Sequence, residues 1–168
     1  MTSAGSSSRA LITGRTVLLR ADLTNGVTDD LARTIGSFAA QGARTAVIAG
    51  FGAPGGDVNA TLSLASFRGP LELACGRPVT FIPHSVGPEA EAELAGVAFG
   101  EVALMENLRF HPDERRNTRT FAIRLSALGD YFAVCGFVPP NPIGWLVALA
   151  AMLPAPYGAV ASLPGKET

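Results

Sequence analysis

Short apolar runs of β-rich composition alternate along this chain with segments of helical periodicity, and no other feature constrains the fold as strongly. The predicted strands are residues 16–21, 45–48, 79–82, 102–105, 131–134 and 159–161. These runs are continuously apolar, which is typical of strands covered on both faces. Strands that alternate with helices pair in parallel, because each helix carries the chain back across the sheet. We therefore predict an α/β fold, a doubly wound parallel sheet of about six strands with helices on both faces.

The helical segments have apolar spacing and end signals of their own. The clearest covers residues 29–41, where Leu31, Ile35 and Phe38 share one face and Gly42 follows. The others are predicted at residues 63–75, 88–94, 118–128 and 143–152. A chain of 168 residues is long enough for one domain with its own core. We expect a disordered tail at residues 1–10, a single α/β domain at 11–162 and a short tail at 163–168.

Charge and composition argue against several classes of function. A formal net charge of -1 produces no long-range field that would attract nucleic acid or an anionic membrane. Cys75 and Cys135 fit no metal motif and form no disulfide framework, so we predict two reduced thiols and no metal site. Residues 1–8 lack the apolar core of a secretory signal. The apolar stretch at 145–153 is well short of the ~20 residues that span a bilayer. We expect a cytoplasmic protein that needs no cofactor.

The densest polar cluster follows the predicted strand at residues 102–105. That strand leads into Glu106, Asn107, Arg109 and His111 within the segment 100–111. In an open α/β sheet, ligands bind in the crevice outside the carboxyl ends of the strands. The site is therefore expected on the loops that follow the strands, at residues 22–27, 50–56, 83–87, 106–111 and 135–142.

The string Glu106-Asn107-Leu108-Arg109-Phe110-His111 resembles a motif of phosphoglycerate kinases, in which the arginine grips the phosphate end of the substrate. Further segments in collinear order are similar to the same family: residues 20–24, 27–30, 76–81, 86–87 and 121–130. The resemblance extends from about residue 16 to residue 160 and is to the N-terminal, substrate-binding half of these enzymes. It implies a Rossmann-like sheet, here expected as a free-standing domain. The sequence contains no glycine–lysine loop of the kind that cradles a nucleotide phosphate.

The departures from the family concentrate on its substrate-binding cations. The loop Ser-His-Leu-Gly-Arg-Pro of the family corresponds to residues 49–54, where its histidine is replaced by Gly50 and its arginine by Ala53. A further arginine of the family falls at Ala32. Residues 134–142 contain none of the Arg and His groups found there in the family. Each lost charge-assisted hydrogen bond is worth about 1.5–3 kcal/mol. Four such losses predict that affinity for a phosphorylated acid is abolished.

Asp22 and Arg109 are the substrate-contacting residues that carry over from the family, and they are the candidate catalytic residues. Arg109 either anchors a carboxylate or oxyanion, or supports the fold by pairing with Glu106 or Asp22. Asp22 is either a general base or hydrogen-bond acceptor, or it caps the turn at Asn25. The candidate ligand-binding residues are Thr24, Asn25, Phe51, Glu106, Cys135, Phe137, Asn141 and Trp145. Two of these have structural alternatives, since Cys135 suits a buried thiol and Trp145 suits helix packing.

The crevice that remains after these replacements is roomier and less charged. We predict a repurposed scaffold without kinase activity that binds a larger, less charged organic ligand. A cyclisation or rearrangement of that ligand in secondary-metabolite biosynthesis would suit such a site, because orientation alone can drive such reactions. One alternative is a non-catalytic binding or regulatory module whose exposed apolar surface pairs with a second copy or a partner protein. Another is the 3-phosphoglycerate-binding half of a split kinase. Neither nucleic acid nor a membrane is an expected partner.

Overall fold

The computed structural model describes residues 12–156, which form a parallel sheet with helices on both faces. The strands are β1 (Thr16–Ala21), β2 (Arg44–Ile48), β3 (Val79–Ile82), β4 (Val102–Met105) and β5 (Tyr131–Cys135). Their order in the sheet is β3-β4-β2-β1-β5, and every neighbouring pair is parallel. The predicted α/β class is therefore confirmed, with five strands in the described part of the chain. The sixth predicted strand, at residues 159–161, lies outside the described residues.

The helices connect these strands as the alternation predicts. They are α1 (Asp29–Ala40), α2 (Arg68–Cys75), α3 (Pro88–Ala95), α4 (Asp113–Arg116), α5 (Thr118–Ser126) and α6 (Gly144–Met152). The helix predicted at 63–75 begins only at Arg68. Before it lie two 3-10 turns, Ala60–Leu62 and Leu64–Phe67, which are capped by the side chains of Asn59 and Ser63. The short helix α4 was not predicted.

Alternate residues of the strands enter two separate cores. Leu18, Ile48 and Met105 pack with residues of α3, α5 and α6 on one face. Leu19 and Val47 pack with residues of α1 and α2 on the other face. Both faces of the sheet are thus covered, which explains why the strands are apolar throughout. No helix in residues 12–156 is long and apolar enough to cross a membrane.

Candidate functional site

Two arginines converge at the carboxyl edge of the sheet. Arg20 is the penultimate residue of β1, and Arg109 lies in a 3-10 turn just after β4. Both line a cavity of about 300 Å³ that is also lined by Asn141 and Trp145. Burial lowers the pKa of Arg20; the Asp22 carboxylate acts in the opposite direction, and the charge of Arg109 lowers it further. Because the two guanidinium groups repel each other, an anion bound in this cavity would stabilise both.

Arg109 lies across the end of β2. Its Nη1 donates a hydrogen bond to the carbonyl oxygen of Gly52 at 2.6 Å, and its buried Nε has no hydrogen-bond partner among the described residues. A Cβ at Gly50 would lie 2.8 Å from this Nε and 3.2 Å from Cγ of the same arginine. The Arg109 side chain therefore occupies space that any residue larger than glycine at position 50 would contest. In residues 12–156 Arg109 forms no ion pair with Glu106 or Asp22.

Glu106 acts as a hydrogen-bond acceptor inside the loops. Its carboxylate accepts from Ser63 Oγ at 2.7 Å and from the backbone N–H groups of Leu64 at 2.9 Å and Asn107 at 2.7 Å. It lines neither of the two cavities that border Arg109. The predicted ligand-binding residue Glu106 thus joins the end of β4 to the 3-10 turns before α2.

Asn107 is fully buried and uses both ends of its side-chain amide. The oxygen accepts from the backbone N–H groups of Phe51 and Arg109, each at 3.0 Å. The nitrogen donates to the carbonyl oxygens of Phe51 at 2.7 Å and Leu62 at 3.0 Å. These four bonds hold the loop after β2 against the turn that carries Arg109, so Asn107 positions the arginine without contacting the cavity.

Asp22 follows β1 and is held in a turn. Its Oδ1 accepts the backbone N–H of Thr24 at 3.0 Å. Partial burial acts to raise the pKa of Asp22, but hydrogen bonds from Thr24 and the charges of Arg20 and Arg109 outweigh it, and the pKa is lowered. A carboxylate with a lowered pKa is a weaker base. The geometry therefore favours a role as hydrogen-bond acceptor or counter-charge over that of general base.

Asn141 and Trp145 are the predicted ligand-binding residues that share the cavity with the arginines. Trp145 is also part of the core, because its ring packs edge-on against Phe121 at a centroid distance of 6.1 Å. Its Nε1 donates to Oε1 of Glu114 at 3.2 Å. The two interpretations of Trp145, helix packing and cavity wall, are therefore compatible in one position.

The other predicted ligand-binding residues lie outside this cavity. Cys135 enters the core on the face of α1, with its Sγ 3.9 Å from Thr34 Oγ1. Burial raises the pKa of its thiol, which weakens it as a nucleophile. Phe51 packs edge-on against Phe67 at 5.3 Å. The exposed residues are Thr24, Asn25 and Phe137.

Three charged residues of the site, Arg20, Glu114 and Arg115, were not among the sequence predictions. Arg20 follows Leu18 by two positions on β1, so strand alternation places both on the α5 and α6 face. Its Nη1 donates to the carbonyl oxygen of Phe137 at 2.7 Å. Glu114 on α4 lines both the 300 Å³ cavity and a neighbouring one of about 360 Å³. The two-residue alternation of a strand could have indicated Arg20, whereas Glu114 lies in a charged run that is typical of a solvated surface. No group of three or more His, Cys, Asp or Glu suited to a metal ion occurs in the described part.

Comparison with known proteins identifies relatives for most of the chain. The family model for phosphoglycerate kinase matches residues 8–138. The phosphoglycerate kinase of Sphingopyxis alaskensis is 37% identical over 158 residues, which cover 88% of this chain and 40% of that enzyme. That of Rhodospirillum centenum is 38% identical over 131 residues, which cover 72% of this chain and 33% of the enzyme. The chain thus spans about two fifths or less of the length of these curated relatives.

Solved structures show the same fold. The crystal structure of phosphoglycerate kinase from Pyrococcus horikoshii OT3 is similar with a TM-score of 0.72 at 22% sequence identity, covering 92% of this chain and 42% of that one. The structure of the enzyme from Coxiella burnetii is similar with a TM-score of 0.67 at 23% identity, covering 83% of this chain and 38% of that one. At these identities the likeness concerns the fold alone.

Proposed function

The chain belongs to the phosphoglycerate kinase family, and from that premise we propose that residues 12–156 form a binding domain for a small organic acid of low charge, with no kinase reaction in this crevice. The observation that carries the proposal is the convergence of Arg20 and Arg109 on one cavity, whose other charged lining residues, Glu114 and Arg115, pair with each other at 3.6 Å. A guanidinium group matches the planar geometry of a carboxylate and can bind it through two parallel hydrogen bonds.

The rest of the cavity suits the body of an organic ligand. Its lining includes the apolar side chains of Ile143 and Leu146, the indole of Trp145 and the amide of Asn141. Apolar side chains of this kind, beside polar groups that orient the bound molecule, are common in ligand sites. A volume of about 300 Å³ is at the small end of the range for ligand pockets. This size supports a ligand with one ring or a short chain, which is smaller than the ligand expected from the sequence.

Two positions argue against a phosphorylated acid as the ligand. Gly50 and Ala53 stand where the family resemblance has a histidine and an arginine, so the loop after β2 supplies no cation. Arg109 is already bonded to the carbonyl of Gly52, and a ligand must compete for it. Arg20 and Arg115 add two cations to the one expected from sequence, but Arg115 pairs with Glu114 at 3.6 Å. The charge of the other two arginines suits a single carboxylate better than a phosphate together with a carboxylate.

Any chemistry on the bound ligand would depend on positioning. Asp22 follows the end of β1, and its lowered pKa makes it a poor general base at neutral pH. A cyclisation or rearrangement of the ligand is a further step of the proposal. It would proceed by holding the ligand in a reactive conformation.

Titration calorimetry with 3-phenylpropionate and 3-phosphoglycerate tests the binding proposal. We expect 3-phenylpropionate to bind the wild type, and Arg109→Ala or Arg20→Ala to weaken it about tenfold or more, since each removes a charge-assisted hydrogen bond. Arg33→Ala is the matched control, because Arg33 is exposed on α1 and pairs with Asp30. Binding that survives both site variants would refute the proposal. Tighter binding of 3-phosphoglycerate that is lost in Arg109→Ala would instead favour the half-kinase alternative.

A second candidate function is a non-catalytic module that pairs with another copy of the chain. Phe137, which follows β5, is 68% exposed, and Ile123 and Val147 on α5 and α6 are also exposed. Exposed apolar side chains of this size commonly mark protein–protein contacts when they form a patch. Sedimentation velocity tests this candidate: dimers that dissociate in Ile123→Glu or Phe137→Ser would support it. A monomer at all concentrations would exclude self-pairing.

A further inference from the structure

Glu114 is a buried carboxylate at the wall of the proposed ligand cavity. Its side chain is 5% exposed, although it lies in a short charged helix at the protein surface. It lines the cavity of Arg20 and Trp145, and it also lines a second cavity that Arg109 borders as well. Carboxylates are rarely buried to this degree unless they are paired or hydrogen-bonded.

The contacts of Glu114 do not fully satisfy its charge. Oε1 accepts one hydrogen bond, from Trp145 Nε1 at 3.2 Å. Oε2 is 3.6 Å from Nε of Arg115, whose own side chain is 73% exposed. An ionised carboxylate offers about four acceptor sites, and a buried one is stable only when its neighbours neutralise it and donate to it. Within residues 12–156, the hydrogen-bond donor is the indole N–H of Trp145, and the counter-charge is the exposed Arg115 at 3.6 Å.

Arg109 does not complete the neutralisation of Glu114. Its Nη1 is bonded to Gly52, and no ion pair with Glu114 is formed by it among the described residues. The cavity wall therefore presents both signs of charge: the guanidinium groups of Arg20, Arg109 and Arg115, and the carboxylate of Glu114. A wall of this kind is complementary to a molecule that carries both an anionic and a cationic group.

We propose that Glu114 is a ligand-binding residue that accepts a hydrogen bond from an ammonium group of the ligand. The inference rests on the proposed function, in which Arg20 and Arg109 bind the ligand's carboxylate. It narrows the ligand class to small zwitterions with an apolar body, that is, amino acids or related amino-carboxylates. Glu114 selects them over plain carboxylic acids, because the ammonium group supplies the donor and the counter-charge that the buried carboxylate lacks.

Titration calorimetry with a pair of probes isolates this contact. L-Phenylalanine and 3-phenylpropionate differ only in the α-ammonium group. We expect the wild type to prefer phenylalanine by roughly tenfold, the size of one charge-assisted hydrogen bond. Glu114→Gln should abolish the preference while its amide oxygen still accepts from Trp145. Glu89→Gln is the matched control, because Glu89 is exposed on α3, and it should keep the preference.

A second variant keeps the inference testable if Glu114→Gln does not fold. Arg115→Met removes the ion-pair partner of Glu114, a 73% exposed arginine on the same cavity wall, so the preference for phenylalanine should rise several-fold over the wild type. An unchanged or smaller preference in Arg115→Met would overturn the role of Glu114. So would equal binding of phenylalanine and 3-phenylpropionate to the wild type, which leaves the proposed function intact. Equal binding of phenylalanine and 3-phenyllactate would also overturn it, because a hydroxyl would then suffice. Failure of every carboxylate to bind the wild type would refute the proposed function and the inference together.

Discussion

Adding a single methyl group at Gly50 should displace Arg109 from the end of β2. The Cβ of an alanine there would lie 2.8 Å from Arg109 Nε, 3.2 Å from Cγ and 3.4 Å from Cδ. Real Cβ atoms do not approach other heavy atoms as closely as 2.8 Å, so the arginine must move. The backbone of Gly50 has no positive φ, and alanine is therefore acceptable to the main chain itself. The clash with one side chain is the effect that the substitution tests.

The expected loss of stability follows from the bond that Arg109 gives up. A hydrogen bond from a charged donor is worth about 1.5–3 kcal/mol. The bond from Arg109 to the Gly52 carbonyl is solvent-exposed, which favours the lower end of that range. Replacing glycine by alanine also reduces the entropy of the unfolded chain, a gain of about 0.4–1 kcal/mol. The net loss in the free energy of unfolding should be about 1 kcal/mol, or a fall in Tm of roughly 2–4 °C for a domain of this size.

Urea denaturation followed by circular dichroism measures this change, and a double-mutant cycle assigns it. Gly50→Ala should be destabilised relative to the wild type but neutral or stabilising in an Arg109→Ala background, because the clashing partner is then gone. Gly36→Ala is the matched control, since Gly36 lies within α1 and a Cβ added there would meet nothing within 4 Å, and it should gain about 1 kcal/mol. Equal losses from Gly50→Ala in both backgrounds would show that Arg109 does not occupy that space.

Two further predictions concern the residues around the site. Asn107→Ala should lower the free energy of unfolding in urea by about 3–4 kcal/mol, because it leaves several buried backbone groups without partners. The control Asn117→Ala, on the surface, should lower it by under about 1 kcal/mol. A small loss at Asn107 would contradict its role in holding the loops. Burial lowers the pKa of His111, the Asp113 charge opposes this and the Arg124 charge adds to it, with a net decrease from 6.5. The unfolded chain then binds the proton more readily, so the free energy of unfolding should fall as pH drops from about 6.5 through the lower pKa of the folded state. His111→Gln should remove that part of the slope, and an unchanged slope would contradict it.

The fold was largely predictable because its determinants are local or periodic. Apolar runs identify all five strands of residues 12–156 to within one residue at each end, and parallel pairing follows from the intervening helices. The failure at residues 63–75 has a tertiary cause. Ser63 and Leu64 donate to the carboxylate of Glu106, 43 and 42 positions away in sequence, and Asn59 and Ser63 cap 3-10 turns. A window of sequence does not contain these partners, so periodicity there predicts one continuous helix.

The position of the candidate site could be predicted from the sequence, but not all of the residues that line it. Strand ends indicated the edge of the sheet, and Arg109, Asn141 and Trp145 do share a cavity there. Glu114 was beyond the reach of sequence reasoning, because its neighbours in sequence are Asp113 and Arg115, a pattern typical of solvated surface. Its buried hydrogen-bond partner is Trp145 of α6, 31 positions later in the chain.

The segment 106–111 contains residues with two different roles: some hold the loops together, and one lines the cavity. Glu106 and Asn107 bond to backbone groups of the loops that follow β2 and precede α2, so their loss would open the fold whatever the ligand. Arg109 is the member that faces the cavity, and its conformation depends on Gly50, where the family resemblance places a histidine. Glycine at position 50 leaves the space that the Arg109 side chain occupies, because a Cβ there would lie 2.8 Å from Nε. Glu106 and Asn107 are therefore required by the architecture, whereas the conformation of Arg109 depends on the small residue opposite it.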